Sequence, residues 1–234
     1  MLSDFFSNPI WLLALTFSVY YGFSLLSRKI KSPLLNPVVF TSAFLIGYLL
    51  VLSISYQTFS KAGHIVEFWL KPSVVALAVP LYRQLENVKK LLLPLIASQV
   101  LASIAGMVCV CWLARLFGAP EEMLLSLALK SVTTPIAVEV SSEIGGLPPV
   151  TVAAVMLTGM LGSMVGFQFL KLIGIKSPVA QGVAMGSASH GLGVMAAHGK
   201  SDKYAAFATV GLIFNGIATA VFAPYLVPFL VGIF

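Results

Sequence analysis

Residues 130–135, Lys-Ser-Val-Thr-Thr-Pro, decide how this chain folds. They lie inside an apolar segment that extends from about residue 123 to residue 144. A lysine at the centre of a membrane helix costs about 2.5–3.5 kcal/mol. Irregular backbone at membrane depth is tolerated only where it is buried in protein or lines a cavity. The stretch therefore indicates a site for an anionic solute; the alternative is that Lys130 extends to the membrane surface.

The amino-acid composition places the chain in a lipid bilayer. Of the 234 residues, 59% are hydrophobic and 9% are charged, and the mean hydropathy is +0.98. A soluble domain averages about 25% charged residues, which excludes that class. The net charge is +6, but the basic residues cluster at the ends of apolar segments. This pattern is typical of topology signals and contacts with anionic lipids, so we expect membrane lipid and no nucleic acid as a partner.

The sequence lacks the motifs of enzymes and metal proteins. Cys109 and Cys111 lie in one apolar helix, far from a metal-binding quartet. No zinc or haem spacing, phosphate-binding loop or dinucleotide fingerprint occurs. His190 and the serines beside it have no carboxylate at a recognisable spacing. We therefore expect no metal site, no cofactor and no enzymatic activity.

Apolar runs predict an all-α polytopic membrane protein with about six transmembrane helices. A span needs about 20 apolar residues. The predicted spans are residues 9–27, 33–54, 68–82, 91–117, 148–172 and 204–234. No basic segment precedes residues 9–27, so we expect a retained span and not a cleaved signal peptide. We interpret residues 1–234 as a single membrane domain, in which residues 1–117 are scaffold-like and residues 121–234 carry the site.

Two further segments, residues 121–145 and 177–200, are apolar at both ends and broken in the middle. The breaks fall at residues 130–135 and at residues 186–191, Gly-Ser-Ala-Ser-His-Gly. Each segment is either a re-entrant helical hairpin or a broken helix that crosses the membrane. If both segments are hairpins, the loops on one side of the membrane hold ten basic residues and the loops on the other side hold two. If both segments cross the membrane, Lys171 and Lys176 change sides and the division becomes eight to four. The positive-inside rule favours hairpins, six spans and both termini outside.

The two broken segments form a weak internal repeat. A shift of 56 positions aligns Ala128 with Ala184, Ser131 with Ser187, Thr133 with Ser189, Thr134 with His190, Pro135 with Gly191 and Val138 with Val194. With one more residue of shift, Thr158-Gly159 aligns with Asn215-Gly216. Each unit consists of one hairpin and one span. Because a unit crosses the membrane once, the second unit is inverted relative to the first, and the two hairpin tips meet near the midplane from opposite faces. An inverted repeat is therefore the interpretation, and accidental similarity is the alternative.

The candidate substrate-binding residues come from both breaks and from the last span: Lys130, Ser131, Thr133, Thr134, Pro135, Ser187, Ser189, His190, Gly191 and Asn215. Lys130 supplies the positive charge, and the hydroxyls supply hydrogen-bond donors. His190 either bonds a carboxylate or is a buried structural histidine. Asn215 contacts either the solute or the opposite hairpin. Glu139 pairs with Lys130, accepts a coupling proton or lies near the membrane surface.

Four motifs carry a resemblance to a known family. They are PLLNP (33–37), PSVVALAVPLY (72–82), KSVTTPIAVEVSSEIGG (130–146) and MGSASHGLG (185–193). In this order, over essentially the whole chain, they resemble the LrgB/CidB/YohK family of bacterial inner-membrane proteins. The resemblance implies a multi-pass protein of the bacterial inner membrane, usually paired with a small LrgA/CidA-type membrane protein. Members were described as holin-like or antiholin-like regulators of murein hydrolase and lysis, and later linked to pyruvate uptake; a plant counterpart exchanges glycolate and glycerate.

Carried over by motif, the resemblance points to the first break, residues 130, 131 and 133–135, and to residues 189–191 of the second. This chain departs from the family pattern after the second motif, where Val194-Met195-Ala196 replaces a common Thr-Ala-Arg. A hydroxyl and a basic residue are therefore missing there, and Lys130 is left as the only cation near the expected pocket.

These observations lead to one expectation and one alternative. We expect a secondary transporter of small organic monocarboxylates resembling glycolate, glycerate or pyruvate, which works by alternating access and forms a homo-oligomer such as a dimer. The solute would lie between the two tips. The alternative is a holin-like or antiholin-like pore, or a regulator of murein hydrolase activity, that acts with a small LrgA/CidA-type partner.

Overall fold

The fold is described from a computed structural model of the chain. The structure describes residues 6–30, 37–69 and 85–233, and the single positions 72, 75, 79 and 82. Within these residues every regular element is an α-helix, which confirms the predicted fold class. The chain forms two compact units, Met1–Ala76 and Leu77–Phe234.

The first unit contains α1 (Pro9–Ile30), α2 (Pro37–Val51) and α3 (Tyr56–Glu67). The indole Nε1 of Trp11 donates a hydrogen bond to the Tyr48 hydroxyl (2.9 Å), which joins α1 to α2. Ser55 caps α3, because its side-chain oxygen accepts a bond from the Thr58 backbone nitrogen (3.3 Å). The predicted span at residues 9–27 is confirmed as α1, whereas residues 33–36 of the next predicted span lie outside the described residues.

The second unit contains α4 (Leu85–Lys90), α5 (Leu92–Leu116), α6 (Glu121–Leu127), α7 (Thr134–Glu143), α8 (Pro148–Leu172), α9 (Pro178–His198) and α10 (Asp202–Ile233). Together with α1, the helices α5, α8 and α10 are long and apolar enough to cross a membrane. The predicted span at residues 68–82 lies largely outside the described residues. The structure groups α5 with the hairpin-bearing helices. The single-domain interpretation, with its division after residue 117, stays a prediction.

The segment at residues 121–145 folds back on itself. The Leu147 backbone nitrogen donates to the Ser126 hydroxyl oxygen (2.7 Å), which in turn donates to the Glu122 carbonyl (2.6 Å). A straight helix would separate residues 126 and 147 by about 30 Å. The segment is therefore a re-entrant hairpin, here called hairpin 1, with α6 and α7 as its arms. The break covers residues 128–133, slightly earlier than predicted, because Pro135 fits the first turn of α7.

The second broken segment also reverses direction. His190 has φ 40° and ψ −133°, which interrupts the helical backbone of α9. A Cβ placed on Gly193 would lie 2.8 Å from the carbonyl carbon of Met185, although eight residues of straight helix cover about 12 Å. The two arms of α9 therefore lie side by side and form hairpin 2. Both segments are hairpins, and α8, a helix of spanning length, lies between them in the chain, which is the arrangement that the sequence predicts for entry from opposite faces.

The hairpins pack crosswise on the spanning helices. In hairpin 1, Ile136 Cδ1 lies 3.3 Å from the position that a Cβ would occupy on Gly216 of α10. In hairpin 2, Leu192 Cδ1 lies 3.0 Å from the corresponding position on Gly159 of α8. The predicted repeat aligns Ile136 with Leu192 and Gly159 with Gly216. These equivalent contacts support the inverted repeat, in which each hairpin contacts the span of the other unit as well as its own.

Hairpin 1 is held by an apolar core that it shares with α5, α8 and α10. Its buried members include Leu124, Leu129 and Val132 of hairpin 1, Met107 of α5 and Val227 of α10. Close packing of such side chains supplies the van der Waals contacts that hold helices together within a membrane. This packing offsets the cost of irregular backbone at residues 128–133, and it fixes the position of Lys130 beside the core.

Candidate functional site: a cavity between the two hairpins

A cavity of about 690 Å³ lies in the second unit, between α5, the connection from α6 to α7, α9 and α10. Its polar wall consists of Ser98, Gln99, Ser103, Lys130, Ser131, Ser177, Ser187, Asn215 and Thr219. The remaining described lining is apolar, mostly alanine, leucine and valine. Among the described lining residues, Lys130 is the one ionisable side chain. The cavity therefore offers a single positive charge in a mostly apolar chamber, which suits a small monoanion.

Lys130 lies on non-helical backbone, as the sequence predicted. Its ammonium group is half-buried and donates a hydrogen bond to the Ser131 hydroxyl (3.2 Å). This bond uses one of the three ammonium hydrogens. Turn-like bonds support the backbone here, from Lys130 N to the Leu127 carbonyl (3.2 Å) and from Val132 N to the Leu129 carbonyl (3.4 Å). The lysine thus reaches the cavity from a packed turn.

Asn215 joins the two hairpins. Its side-chain nitrogen donates to the carbonyl oxygens of Ser131 (3.2 Å) and Ser187 (3.1 Å), and the residue is 3% exposed. Both partners are acceptors only, so the orientation of the amide is determined by its neighbours. The predicted repeat aligns Ser131 with Ser187, and the structure places both on the same nitrogen. Of the two interpretations of Asn215, the contact with the opposite hairpin is the one observed.

Sequence reasoning missed five polar residues of the cavity wall, Ser98, Gln99, Ser103, Ser177 and Thr219. The Gln99 side-chain oxygen accepts a bond from the Ser187 hydroxyl, and Gln99 is 3% exposed. The hydroxyls of Ser103 and Thr219 lie 2.8 Å apart and link α5 to α10. Gln99, Ser103 and Thr219 are polar residues inside apolar spans, a pattern that marks helix contacts or functional sites in membranes. The same signal drew attention to Asn215 in the sequence.

Ser189 and His190 face α8, away from the residues that line this cavity. Ser189 is 1% exposed, and its side chain fills the space beside Gly162. His190 Nε2 donates to the Val155 carbonyl (2.9 Å), because a carbonyl can only accept. One ring nitrogen of His190 is thus bonded to the backbone of α8, and a role in solute binding stays a prediction. The structure therefore does not bring these two predicted ligands together with Lys130.

The other predicted residues also lie outside the described lining. Thr133, Thr134 and Pro135 form the entry to α7, and the buried Thr133 hydroxyl has no hydrogen-bond partner among the described residues. Gly191 is exposed at the tip of hairpin 2, and Glu139 is exposed on α7. Roles for these five residues in solute binding or coupling stay predictions.

Comparison with known proteins identifies the relatives of this chain. The family described as LrgB-like matches residues 16–229. Holin-like protein CidB of Staphylococcus epidermidis is 33% identical over 220 residues, which cover 94% of this chain and 96% of the relative. The Staphylococcus aureus protein of the same name is 32% identical over 220 residues, with the same coverage. The Bacillus subtilis protein named Uncharacterized protein YxaC is 33% identical over 218 residues, or 93% of this chain and 95% of the relative.

No solved structure matches the chain. The family match covers both hairpins and the helices that form the cavity. The apolar spanning helices and the holin-like relatives together make this a membrane protein. On these grounds the chain belongs to the LrgB-like family.

Proposed function

We propose that this protein carries small organic monocarboxylates, such as pyruvate, glycolate or glycerate, across the bacterial inner membrane. The observation that supports this proposal is the cavity between the hairpins, with Lys130 as its one ionisable described lining residue. A charge 4 Å from an opposite charge gains about 4 kcal/mol at the effective dielectric constant near a protein surface. A carboxylate is therefore the natural partner for this ammonium group.

The proposed mechanism follows from the cost of moving charge through a bilayer. An anion alone meets a large desolvation penalty, whereas an anion paired with Lys130 is locally neutral. Two hairpins that enter from opposite faces would form a binding site near the midplane, which opens to each side of the membrane in turn. Movement of the hairpin-bearing helices around the bound solute would then give alternating access. A dimer of carriers, assisted by a small LrgA/CidA-type protein, belongs to the same proposal.

A holin-like function is the second candidate, because several relatives carry the name holin-like protein CidB. That name fits a pore or a regulator of murein hydrolase more directly than a carrier. In this function the hairpins would line or gate an opening, and a charged cavity of defined size would not be needed. Such a pore would pass solutes of many kinds without saturation.

Transport by the purified full chain in liposomes separates the two functions. The uptake of radiolabelled pyruvate is measured against concentration, with glycolate, glycerate and an uncharged analogue as competitors, and carboxyfluorescein release is followed in parallel. A carrier gives saturable uptake, competition by the acids only and no dye release. Dye release with unsaturable flux, in the presence or absence of a small LrgA/CidA-type partner, would refute the carrier and support the holin-like function.

A further inference from the structure

Asn215 directs its hydrogen-bond donors at the protein backbone and not at the solute cavity. Its side-chain nitrogen has two hydrogens, and both are directed at backbone carbonyls, of Ser131 and of Ser187. The remaining polar atom is the side-chain oxygen, which is an acceptor and repels a carboxylate. Although Asn215 lines the cavity, it therefore has no donor left for an anion. The Asn215 side chain, in the orientation observed, therefore does not fit the predicted direct contact with an anionic solute.

The two carbonyls that Asn215 binds lie at or near the breaks of the two hairpins. Ser131 lies in the non-helical connection of hairpin 1, and Ser187 comes three residues before the reversal at His190. Carbonyls near interrupted helices lose their regular partners, and a buried carbonyl without a donor is costly. One side chain on α10 thus satisfies a carbonyl in each hairpin, across 84 and 28 residues of sequence.

From Asn215, the polar wall extends to both sides of the cavity. Lys130 is the neighbour of Ser131, and the Ser187 hydroxyl bonds the Gln99 side chain of α5. A displacement of either hairpin would separate Lys130 from the wall formed by Ser187 and Gln99. The relative position of the two hairpins thus decides where the cation lies in the cavity, whereas the one hydrogen of the Ser187 hydroxyl is already directed at Gln99 and the Val183 carbonyl.

We infer that Asn215 is a positioning residue that couples the two hairpins, by holding the carbonyls of Ser131 and Ser187 on one amide nitrogen. The coupling itself follows from the hydrogen bonds of the folded chain. Only its purpose, to hold Lys130 in position for the solute, rests on the proposed carrier function. During transport the hairpins would accordingly move together with α10 and not independently of each other.

Hydrogen exchange of the full chain in lipid nanodiscs tests this coupling. The variants are Asn215→Leu, which removes both donors, and Asn215→Asp, which keeps the side-chain volume. Peptides that cover residues 128–136 and 186–193 are both expected to exchange about 5- to 30-fold faster than in the wild type, since two bonds to buried carbonyls are lost. Thr209→Val is the control: this buried residue of α10 bonds only the Ala205 carbonyl of its own helix (3.0 Å) and should leave both peptides unchanged.

A pH series distinguishes a shared donor from a packing role. Protonation returns one donor to the Asn215→Asp side chain, so its difference from the wild type should shrink in acid, whereas Asn215→Leu should show no such recovery. Lys130 is the one ionisable group among the described lining of the same cavity, and its attraction to the new carboxylate is also lost in acid, so recovery of both hairpin peptides in acid is the result that identifies the shared donor.

Faster exchange at one hairpin only, or at neither, in a folded variant would overturn the inference. If Asn215→Leu does not assemble, the Asn215→Asp result decides. Because exchange is measured without transport, the absence of saturable uptake by the wild type would refute the carrier and leave the exchange result standing. Conversely, normal uptake by a variant whose two hairpins both exchange faster would reject only the role of Asn215 in transport.

Discussion

Replacement of Lys130 by methionine is the most direct test of the cavity as an anion site. Methionine keeps a long apolar stem in the packed turn and removes the ammonium group. The bond from Lys130 Nζ to the Ser131 hydroxyl (3.2 Å) is lost, and the cavity of about 690 Å³ is left with no ionisable group among its described lining. The change therefore removes the charge and little of the packing.

The expected loss follows from the energy of one charged hydrogen bond. Such a bond contributes about 1.5–3 kcal/mol, which corresponds to about 10- to 150-fold weaker binding of the anion. Pyruvate uptake at concentrations below saturation should fall by this factor. Thermal unfolding in detergent should not occur at a lower temperature, because a half-buried cation carries a desolvation cost that methionine lacks. Function and stability would thus change in opposite directions.

The assay compares initial uptake rates in liposomes that contain equal amounts of folded protein. Lys176→Met is the matched control, since Lys176 is exposed between α8 and α9 and lies outside the described lining. It removes the same charge from the protein as a whole and should retain uptake. Equal uptake by Lys130→Met and Lys176→Met would remove the lysine from the mechanism and with it the main support for an anion site.

Three further outcomes test the fold around the site. Gly186→Ala should destabilise the protein by about 1–3 kcal/mol in thermal unfolding, because the new Cβ would overlap the Ala208 backbone, whereas Gly22→Ala meets nothing within 4 Å and should not. His190→Gly should be more stable than His190→Ala by about 1 kcal/mol, since both lose the ring but only glycine adopts φ 40° freely; equal stabilities would contradict strain at this turn. In a background without native cysteines, Glu121→Cys and Glu143→Cys should react with an impermeant reagent from the same side of the membrane. Labelling from opposite sides would contradict hairpin 1.

The spans and the breaks could be predicted because they depend on local sequence. A helix such as α8 is a continuous apolar run of spanning length, and prolines mark its first turn. The break in hairpin 1 was visible from Lys130 and Pro135, which are both unfavourable inside a membrane helix. The repeat was visible only weakly, yet it paired Ser131 with Ser187, which share one donor in the structure.

The walls of the cavity could not be predicted, because they depend on contacts between distant parts of the chain. Ser103 and Thr219 meet across 116 residues of sequence, and nothing near either residue indicates the other. The direction of a side chain at a tip is equally hidden. The glycines around His190 indicated a turn, but the ring points to Val155 of α8 because the backbone adopts φ 40° there. Sequence reasoning therefore located the tips, whereas the directions of their side chains are seen only in the structure.

The crosswise packing of hairpin 1 on α10 has a consequence for synthesis of the protein. Asn215 is made 84 residues after Ser131, and Gly216 follows it. At about 5–20 residues per second, the ribosome needs roughly 4–17 s to reach them. Throughout that interval hairpin 1 can pack on α5 and α8, but its contacts with α10 are missing and the Ser131 carbonyl lacks its donor. Insertion factors and membrane proteases would bind the incomplete hairpin during this interval. A chain truncated before α10 should therefore be degraded, whereas the full chain is stable.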